Sequence, residues 1–466
     1  MENYDVTVIG SGPGGYVAAI RSAQLGYRTL LVEKYNTLGG TCTNVGCIPT
    51  KALLDSTHHY SDALKKFSQH GINLDAIGLD FGQMFRRKAD VVQKNTEGLE
   101  FLMKKNNITR VTGTASFVDN STIEIRNEGT VQKVTSKNFI IATGSKPSAL
   151  PGINIDKERI ITSTEALSLK ELPKSMVIIG GGVIGVEMAS VFNRLGTEVN
   201  ILEYADHLIS AMDRELGKTL QKILKKDGMD IRLQQAVYKA ENLGNRTKVY
   251  FRDKNGTENS LEADYILVAV GRRPYTENLG LENTGVKLDE RGFIITDEKL
   301  QTSVPGIYAI GDIIGGAMLA HKAEEEGVFV AETIDGQKPH IHYGRIPSVV
   351  YTWPEVASVG ATEEELKKNN IDYQSGKFPF SASARARASM DTEGFAKVLV
   401  DPKYGEILGV HIIGPRAADS IAQAVVALEY EVTAKDMFSI SYAHPTYTEV
   451  LKEAYMLAYG QPAINI

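Results

Sequence analysis

Tyr4 to Ile9 carries apolar residues at strand-like spacing, and the run breaks at Gly10-Ser11-Gly12-Pro13-Gly14-Gly15. From Tyr16 to Leu25 the spacing becomes helical until Gly26, and Arg28 to Glu33 is a second strand that closes on an acid. The whole pattern then returns. Met176 to Ile179 leads into Gly180, Gly182 and Gly185, a helix runs to Leu195-Gly196, and Glu198 to Glu203 again ends on a carboxylate. In both copies the acid follows the first glycine by 23 residues, and the helix-ending glycine follows it by 16. Agreement at two offsets predicts a strand, turn, helix and strand unit used twice in an α/β chain.

The glycines give each unit the character of a Rossmann-like dinucleotide site. The first (Gly10, Gly180) permits the turn, the second (Gly12, Gly182) lets backbone approach a pyrophosphate, and the third (Gly15, Gly185) lets helix pack on strand. Glu33 and Glu203 would accept ribose hydroxyls. At Glu203 a carboxylate would also repel the 2′-phosphate of NADP, and no arginine follows within Tyr204-Ala205-Asp206-His207, so NAD is expected there. Two such sites in one chain imply electrons passing between two cofactors, one of them a tightly held flavin.

At 466 residues the chain exceeds a single domain of about 100 to 200 residues, so several cores are expected. Hydrophobic residues at 42% and charged ones at 23% fit neither a disordered chain nor a membrane bundle. A formal net charge of −6 leaves no general basic track for nucleic acid, and Arg385-Ala386-Arg387-Ala388 is too short to be one. Lys65-Lys66 and Lys104-Lys105 fall in helical patterns and read as exposed faces. Met176 to Phe192 is apolar but interrupted by glycines and Glu187, so it is no membrane span. Met1 to Asp5 shows no basic and apolar leader, from which a cytoplasmic location is expected.

Only two cysteines occur, Cys42 and Cys47, within Gly39-Gly40-Thr41-Cys42-Thr43-Asn44-Val45-Gly46-Cys47-Ile48-Pro49-Thr50-Lys51. Two cannot build a disulfide-stapled scaffold or a four-cysteine metal site, and no metal is expected. A staple closing so short a loop would restrain the chain weakly. Inert core thiols would not need to be the only cysteines and adjoin a dinucleotide fingerprint, and two thiolates with His58 and His59 nearby lack further metal partners. Each of these three readings fits the segment poorly.

The segment resembles the redox-active disulfide of the class I pyridine-nucleotide disulfide oxidoreductases. The likeness extends to Ala142-Thr143-Gly144-Ser145, Gly271-Arg272-Arg273-Pro274, Ile310-Gly311-Asp312, Leu319-Ala320-His321-Lys322-Ala323-Glu324, and His444-Pro445-Thr446 with Glu449. Within the family the chain is most similar to the branch that oxidises protein-bound dihydrolipoamide for 2-oxo acid dehydrogenase complexes. One departure stands out: Tyr442 occupies the first position of the usual His-Ala-His-Pro-Thr.

That resemblance implies FAD and NAD as cofactors, with Cys42 as the interchange thiol and Cys47 against the flavin. It sets Lys51 beside the flavin and paired with Glu187, Asp312 on the ribityl chain, and Gly113, Gly144, Ala320 and Gly271 along the cofactor sites. It further implies an FAD-binding domain over residues 1–148, an NAD-binding domain over 149–270, an FAD-domain return over 271–342 and an α+β dimerisation domain over 343–466. A homodimer with shared active sites would work with lipoyl domains and the acyltransferase core of such a complex. The chemistry explains the residue types. A dihydrolipoyl group attacks a disulfide only as a thiolate, so a base must take its proton. His444 suits that work near pH 7, and Glu449 would hold its tautomer and steady the imidazolium. Rival readings are an NAD-linked reductase of another small disulfide and a flavin-binding scaffold without turnover. The scaffold would be marked by a lost cysteine or a lost His444, and all three residues are present.

Overall fold

Both glycine-rich turns sit at the carboxyl end of the central strand of a parallel sheet. In the computed structural model, which describes residues 2–465, the strand Glu2–Ile9 lies between Thr29–Glu33 and Thr130–Ile141. Thr109–Thr112 adds outside the former, and Ile307–Ala309 pairs with the latter, all in parallel. Thr122–Asn127 and Thr114–Asp119 extend the sheet as an antiparallel meander. Val6, Val8, Leu31 and Ile140 face a core completed by Ala18, Ala19 and Val330, while Tyr4, Ile9, Leu30, Phe139 and Ile141 fill the opposite face. Burial on both faces is why these strands read as apolar runs. The helix after the first turn is Pro13–Gln24, three residues earlier than its apolar spacing predicts. Pro13 supplies a preset φ at a position where a missing N–H leaves no bond unmade.

These elements belong to one compact unit, comprising the described residues through Leu53 together with Asp80–Ser148 and Gly271–Ile341. The second unit comprises Leu54–Leu79, Ala149–Val270 and the described residues from His342 onward. Its parallel sheet runs Asp230–Arg232, Glu198–Leu202, Ser175–Ile179, Tyr265–Val268, Ile160–Ile161, the first four in the same chain order as in the first sheet. The helix Val183–Arg194 follows its turn, and Ala236–Asn242, Thr247–Arg252 and Glu258–Ala263 form a separate meander.

The same unit contains a five-stranded antiparallel sheet in the order Ser348–Val350, Glu355–Gly360, Ile407–Gly414, Phe395–Val400, Gln374–Pro379. The helices Ala417–Glu429 and Glu449–Ala458 pack on it through Ile421, Ala424, Leu451, Ala454 and Tyr455. The chain thus has two Rossmann-like sheets and a C-terminal α+β layer. The last helix begins at Glu449, whose side chain accepts from the Thr446 N–H at 2.8 Å. Among the described residues no helix is long and apolar enough to cross a membrane.

One expected exposed face is otherwise. Lys66 is half-buried and bonds Asp391 at 2.7 Å and Asp62 at 3.3 Å, whereas Lys104 and Lys105 are exposed as expected. Nearby, the ring of His58 lies 4.2 Å from that of Trp353, the chain's single tryptophan, whose indole N–H donates to Asp391. Burial pulls the His58 imidazole down to about 4, against the opposing pull of Asp62.

Gly376 lets its strand approach the last helix closely: an added Cβ would fall 2.1 Å from the Ala458 nitrogen and 2.2 Å from the Ala454 carbonyl oxygen. Both contacts are backbone, so neither side can yield. Gly376→Ala is therefore expected to destabilise the C-terminal layer by about 1–3 kcal/mol. A lowered thermal midpoint would check this, and a midpoint equal to that of the parent would count against the close packing described.

Candidate active site

Each glycine-rich turn is tied from behind by its acid in the same way. In the first, Glu33 Oε2 accepts from the Ser11 N–H at 2.9 Å and from the Ser11 hydroxyl at 2.7 Å, while Oε1 accepts from the Tyr35 N–H at 3.0 Å. In the second, Glu203 Oε2 accepts from the Gly181 N–H and Oε1 from the Ala205 N–H at 2.6 Å. The glycines match too. Gly10 (φ +100°) and Gly180 (φ +107°) stand in backbone space unfavourable to side chains, where a Cβ would meet the Ala142 or Ala269 carbonyl oxygen at 2.5 or 2.4 Å. At Gly15 and Gly185 a Cβ would fall 1.9 and 2.0 Å from the carbonyl oxygen of that first glycine. Gly12 and Gly182 differ: nothing lies within 4 Å of an added Cβ, and each stands at a helix N-terminus with no side-chain cap. Open space, free N–H groups and a positive helix end are what a pyrophosphate needs, so both turns fit a dinucleotide.

The first cradle has further groups around it. Gly113 closes the strand Thr109–Thr112 and donates to the Glu33 carbonyl at 2.8 Å. Gly144 (φ +69°) follows Thr130–Ile141 and Gly271 (φ +106°) precedes Arg272–Pro274, both with open space beside them. Asp312 lies in the 3-10 turn Gly311–Ile314 and accepts from the Ser145 hydroxyl. Arg272 bonds Ser145 at 2.7 Å and lies 3.9 Å from Asp312. Burial pulls Arg272 below its ordinary range, with Asp312 and Cys47 pulling the other way. This arginine, from the Gly271-Arg272-Arg273-Pro274 motif, is brought in across 127 residues. Ala320 opens the helix Ala320–Ile334.

The two cysteines flank a break between helices. Cys42 lies in Gly40–Val45 and Cys47 begins Cys47–Lys65, with Gly46 between them and its carbonyl accepting from Thr50 Oγ1 at 2.7 Å. Lys51 follows one turn later on the same helix. Neither cysteine is in a disulfide, both are partly buried, and Cys42 hydrogen-bonds Cys47. That bond, then burial, then the charge of Cys47 push the Cys42 thiol well above its ordinary value, opposed by Lys51. Glu324 adds to the push and accepts from the Tyr16 hydroxyl at 3.1 Å.

In the second unit, His444 Nδ1 lies 2.9 Å from Glu449 Oε1. A carboxylate only accepts, so Nδ1 carries the proton and Nε2 is the basic nitrogen. The imidazole is 72% exposed, available to a group outside its own fold. Tyr442 is half-buried, its hydroxyl without a hydrogen-bond partner, and burial pushes it up to about 12. Glu187, on the helix after the second turn, is buried and accepts from the Tyr351 N–H at 2.9 Å. An arginine does reach the loop after Glu203: Arg214, ten residues on from Tyr204, ion-pairs with Asp206.

Residues 4–327 match the pyridine nucleotide-disulphide oxidoreductase family, and residues 346–455 match its dimerisation domain. The chain belongs to that family. It is 48% identical to "Dihydrolipoamide dehydrogenase" of Chaetomium thermophilum and 46% identical to "Dihydrolipoyl dehydrogenase 1, mitochondrial" of Arabidopsis thaliana, covering 98% of this chain and 91% of each relative. Among solved structures, the HOCl-induced flavoprotein disulfide reductase RclA from Escherichia coli, in its Cu(II) complex, superposes with a TM-score of 0.88 at 29% identity, covering 98% of this chain and all of that one. The chain is thus a flavoprotein oxidoreductase with FAD and NAD as cofactors and a C-terminal domain that makes a homodimer. The cytoplasmic expectation is overturned. Several curated relatives are named as mitochondrial proteins, so the opening residues of this sequence assign no compartment.

The two kinds of glycine separate in a test. Gly182→Ala has room for its methyl and should keep stability within about 0.5 kcal/mol of the parent. Its NAD dissociation constant should nevertheless rise by about tenfold or more, ~1.4 kcal/mol, because the methyl fills ligand space. Gly185→Ala should instead lose the fold of the domain. Unchanged nucleotide affinity in Gly182→Ala, read by titration calorimetry, would contradict the cradle.

Proposed function

We propose that this chain oxidises protein-bound dihydrolipoamide to lipoamide and reduces NAD to NADH, as the flavoprotein component of 2-oxo acid dehydrogenase complexes. The observation that carries the reading is the Cys42–Cys47 contact in the same unit as the first cradle. The names of the relatives supply the dithiol substrate. Residues 1–148 with 271–342 form the FAD-binding domain in this reading, residues 149–270 the NAD-binding domain, and residues 343–466 the dimerisation domain. Lipoyl domains and the acyltransferase core of the complex are the partners.

Cys42 is the thiol that exchanges with substrate. A dihydrolipoyl thiolate attacks its sulfur, the Cys42–Cys47 bond breaks, and the second substrate thiolate displaces Cys42. One disulfide is lost by the protein and one gained by the substrate, and the two substrate protons must be accepted. The substrate attacks only as a thiolate, so a base has to be supplied. His444 Nε2 takes the proton, with Glu449 holding Nδ1–H and steadying the imidazolium. Bound FAD supplies the two-electron carrier between the cysteine pair and NAD. Gly10, Gly12, Gly15, Glu33, Gly113, Gly144, Lys51, Asp312 and Ala320 hold the flavin. Gly180, Gly182, Gly185 and Glu203 hold NAD, and Gly271 lies along the cofactor sites. Glu203 excludes NADP, and Arg214 is committed to Asp206 rather than free for a 2′-phosphate.

Anaerobic bleaching of the yellow protein by dihydrolipoamide, set against reduced glutathione, tests the substrate class. Bleaching by glutathione alone would point to another disulfide. Cys47→Ser should keep its flavin and lose lipoamide turnover by at least about a thousandfold, ~4 kcal/mol in the barrier, because one sulfur cannot form the disulfide. Full turnover in that variant would remove the redox assignment.

A shared site gives a sharper expectation. Cys47→Ser subunits mixed with His444→Gln subunits, each inactive alone, should yield heterodimers in which one site pairs both intact residues and works. If each site were built within one chain, every site would carry a lesion and activity would not return. Confirmed heterodimers without activity would therefore exclude the shared arrangement.

A further inference from the structure

The segment from Glu203 to Asp213 lies over the second glycine-rich turn. The Ile209 N–H donates to the Gly181 carbonyl at 2.9 Å, and the Leu208 side chain sits 2.5 Å from where a Cβ at Gly181 would fall. Arg214 ion-pairs back to Asp206, closing the segment on itself. Its far end is Asp213, fully buried, which caps the helix Arg214–Lys226 by accepting from the Glu215 N–H at 3.1 Å.

The C-terminal layer grips the same carboxylate. Lys397, 2% exposed in the strand Phe395–Val400, places Nζ 2.7 Å from Asp213 Oδ1, 3.1 Å from Glu363 and 3.4 Å from Glu215. The Glu363 N–H donates to Asp213 Oδ2 at 3.3 Å. His411, also buried, lies 3.9 Å from Oδ2 and is held by Ser358 and the Ala361 carbonyl. A buried ion pair contributes little net stability, since desolvation offsets its attraction, but its geometry is demanding. Apolar side chains would join the two layers as firmly. An ion pair fixes where they join.

We propose that Asp213 and Lys397 are positioning residues for NAD, which anchor the Glu203–Asp213 segment so that the Gly181 turn and the Glu203 carboxylate are preset for the nucleotide. This rests on the reading of the second cradle as the NAD site. Neither residue touches the nucleotide. Without the anchor, the segment has to be ordered by NAD itself, which weakens binding but leaves the thiol chemistry alone.

Asp213→Asn keeps the helix cap and the shape while removing the charge. In the oxidised holoenzyme its NAD dissociation constant, by titration calorimetry, should rise about tenfold, ~1.4 kcal/mol. Anaerobic reduction by dihydrolipoamide should stay within about twofold of the parent, a split that general loosening of the fold would not give. Glu203→Ala serves as the reference. If it weakens NAD while Asp213→Asn does not, the anchor is refuted and the NAD site stands. If neither weakens NAD, both readings fall. Equal losses of NAD binding and of the thiol half-reaction would also overturn the anchor. Should Asp213→Asn not be recovered folded, Glu363→Gln at the rim should raise the constant about threefold, ~0.65 kcal/mol, and no rise would overturn the proposal.

Discussion

A carboxylate at the end of a strand, reaching back to the N–H after the first glycine, is the contact on which both halves of this protein are built. Glu33 and Glu203 each bond that N–H through one oxygen and an N–H two residues downstream through the other. The turn can then be short, because its outer edge is held from behind. It can also be bare, because the glycine next to the ligand needs no side chain of its own to stay in place.

The clamp explains what the sequence reveals well. Backbone demands at Gly10, Gly15, Gly180 and Gly185 admit only glycine, so they appear as letters at fixed spacing, and the acid must follow a helix and a strand of set length. Strands buried on both faces appear as apolar runs. His444 and Glu449 are five apart on a turn and a helix start, so their pairing is local and readable.

Long-range charge pairing is not readable in this way. Arg272 and Ser145 each lie in a legible motif, yet nothing in either motif says that they meet across 127 residues. Lys397 sits inside the apolar run Phe395–Val400, where alternation suggests an outward side chain, yet three carboxylates from two layers enclose it. Lys66 likewise reads as surface until Asp391, far along the chain, reaches it. In each case the decisive partner is set by how layers pack, which local pattern does not encode.

The stacking of Trp353 on His58 has an optical consequence. With one indole in 466 residues, tryptophan emission comes from a single address, between the segment that follows Leu53 and the C-terminal layer. Burial favours the neutral form of its neighbour over the imidazolium that quenches a stacked indole. The protein thus carries a built-in fluorophore whose brightness reports local packing at that one place.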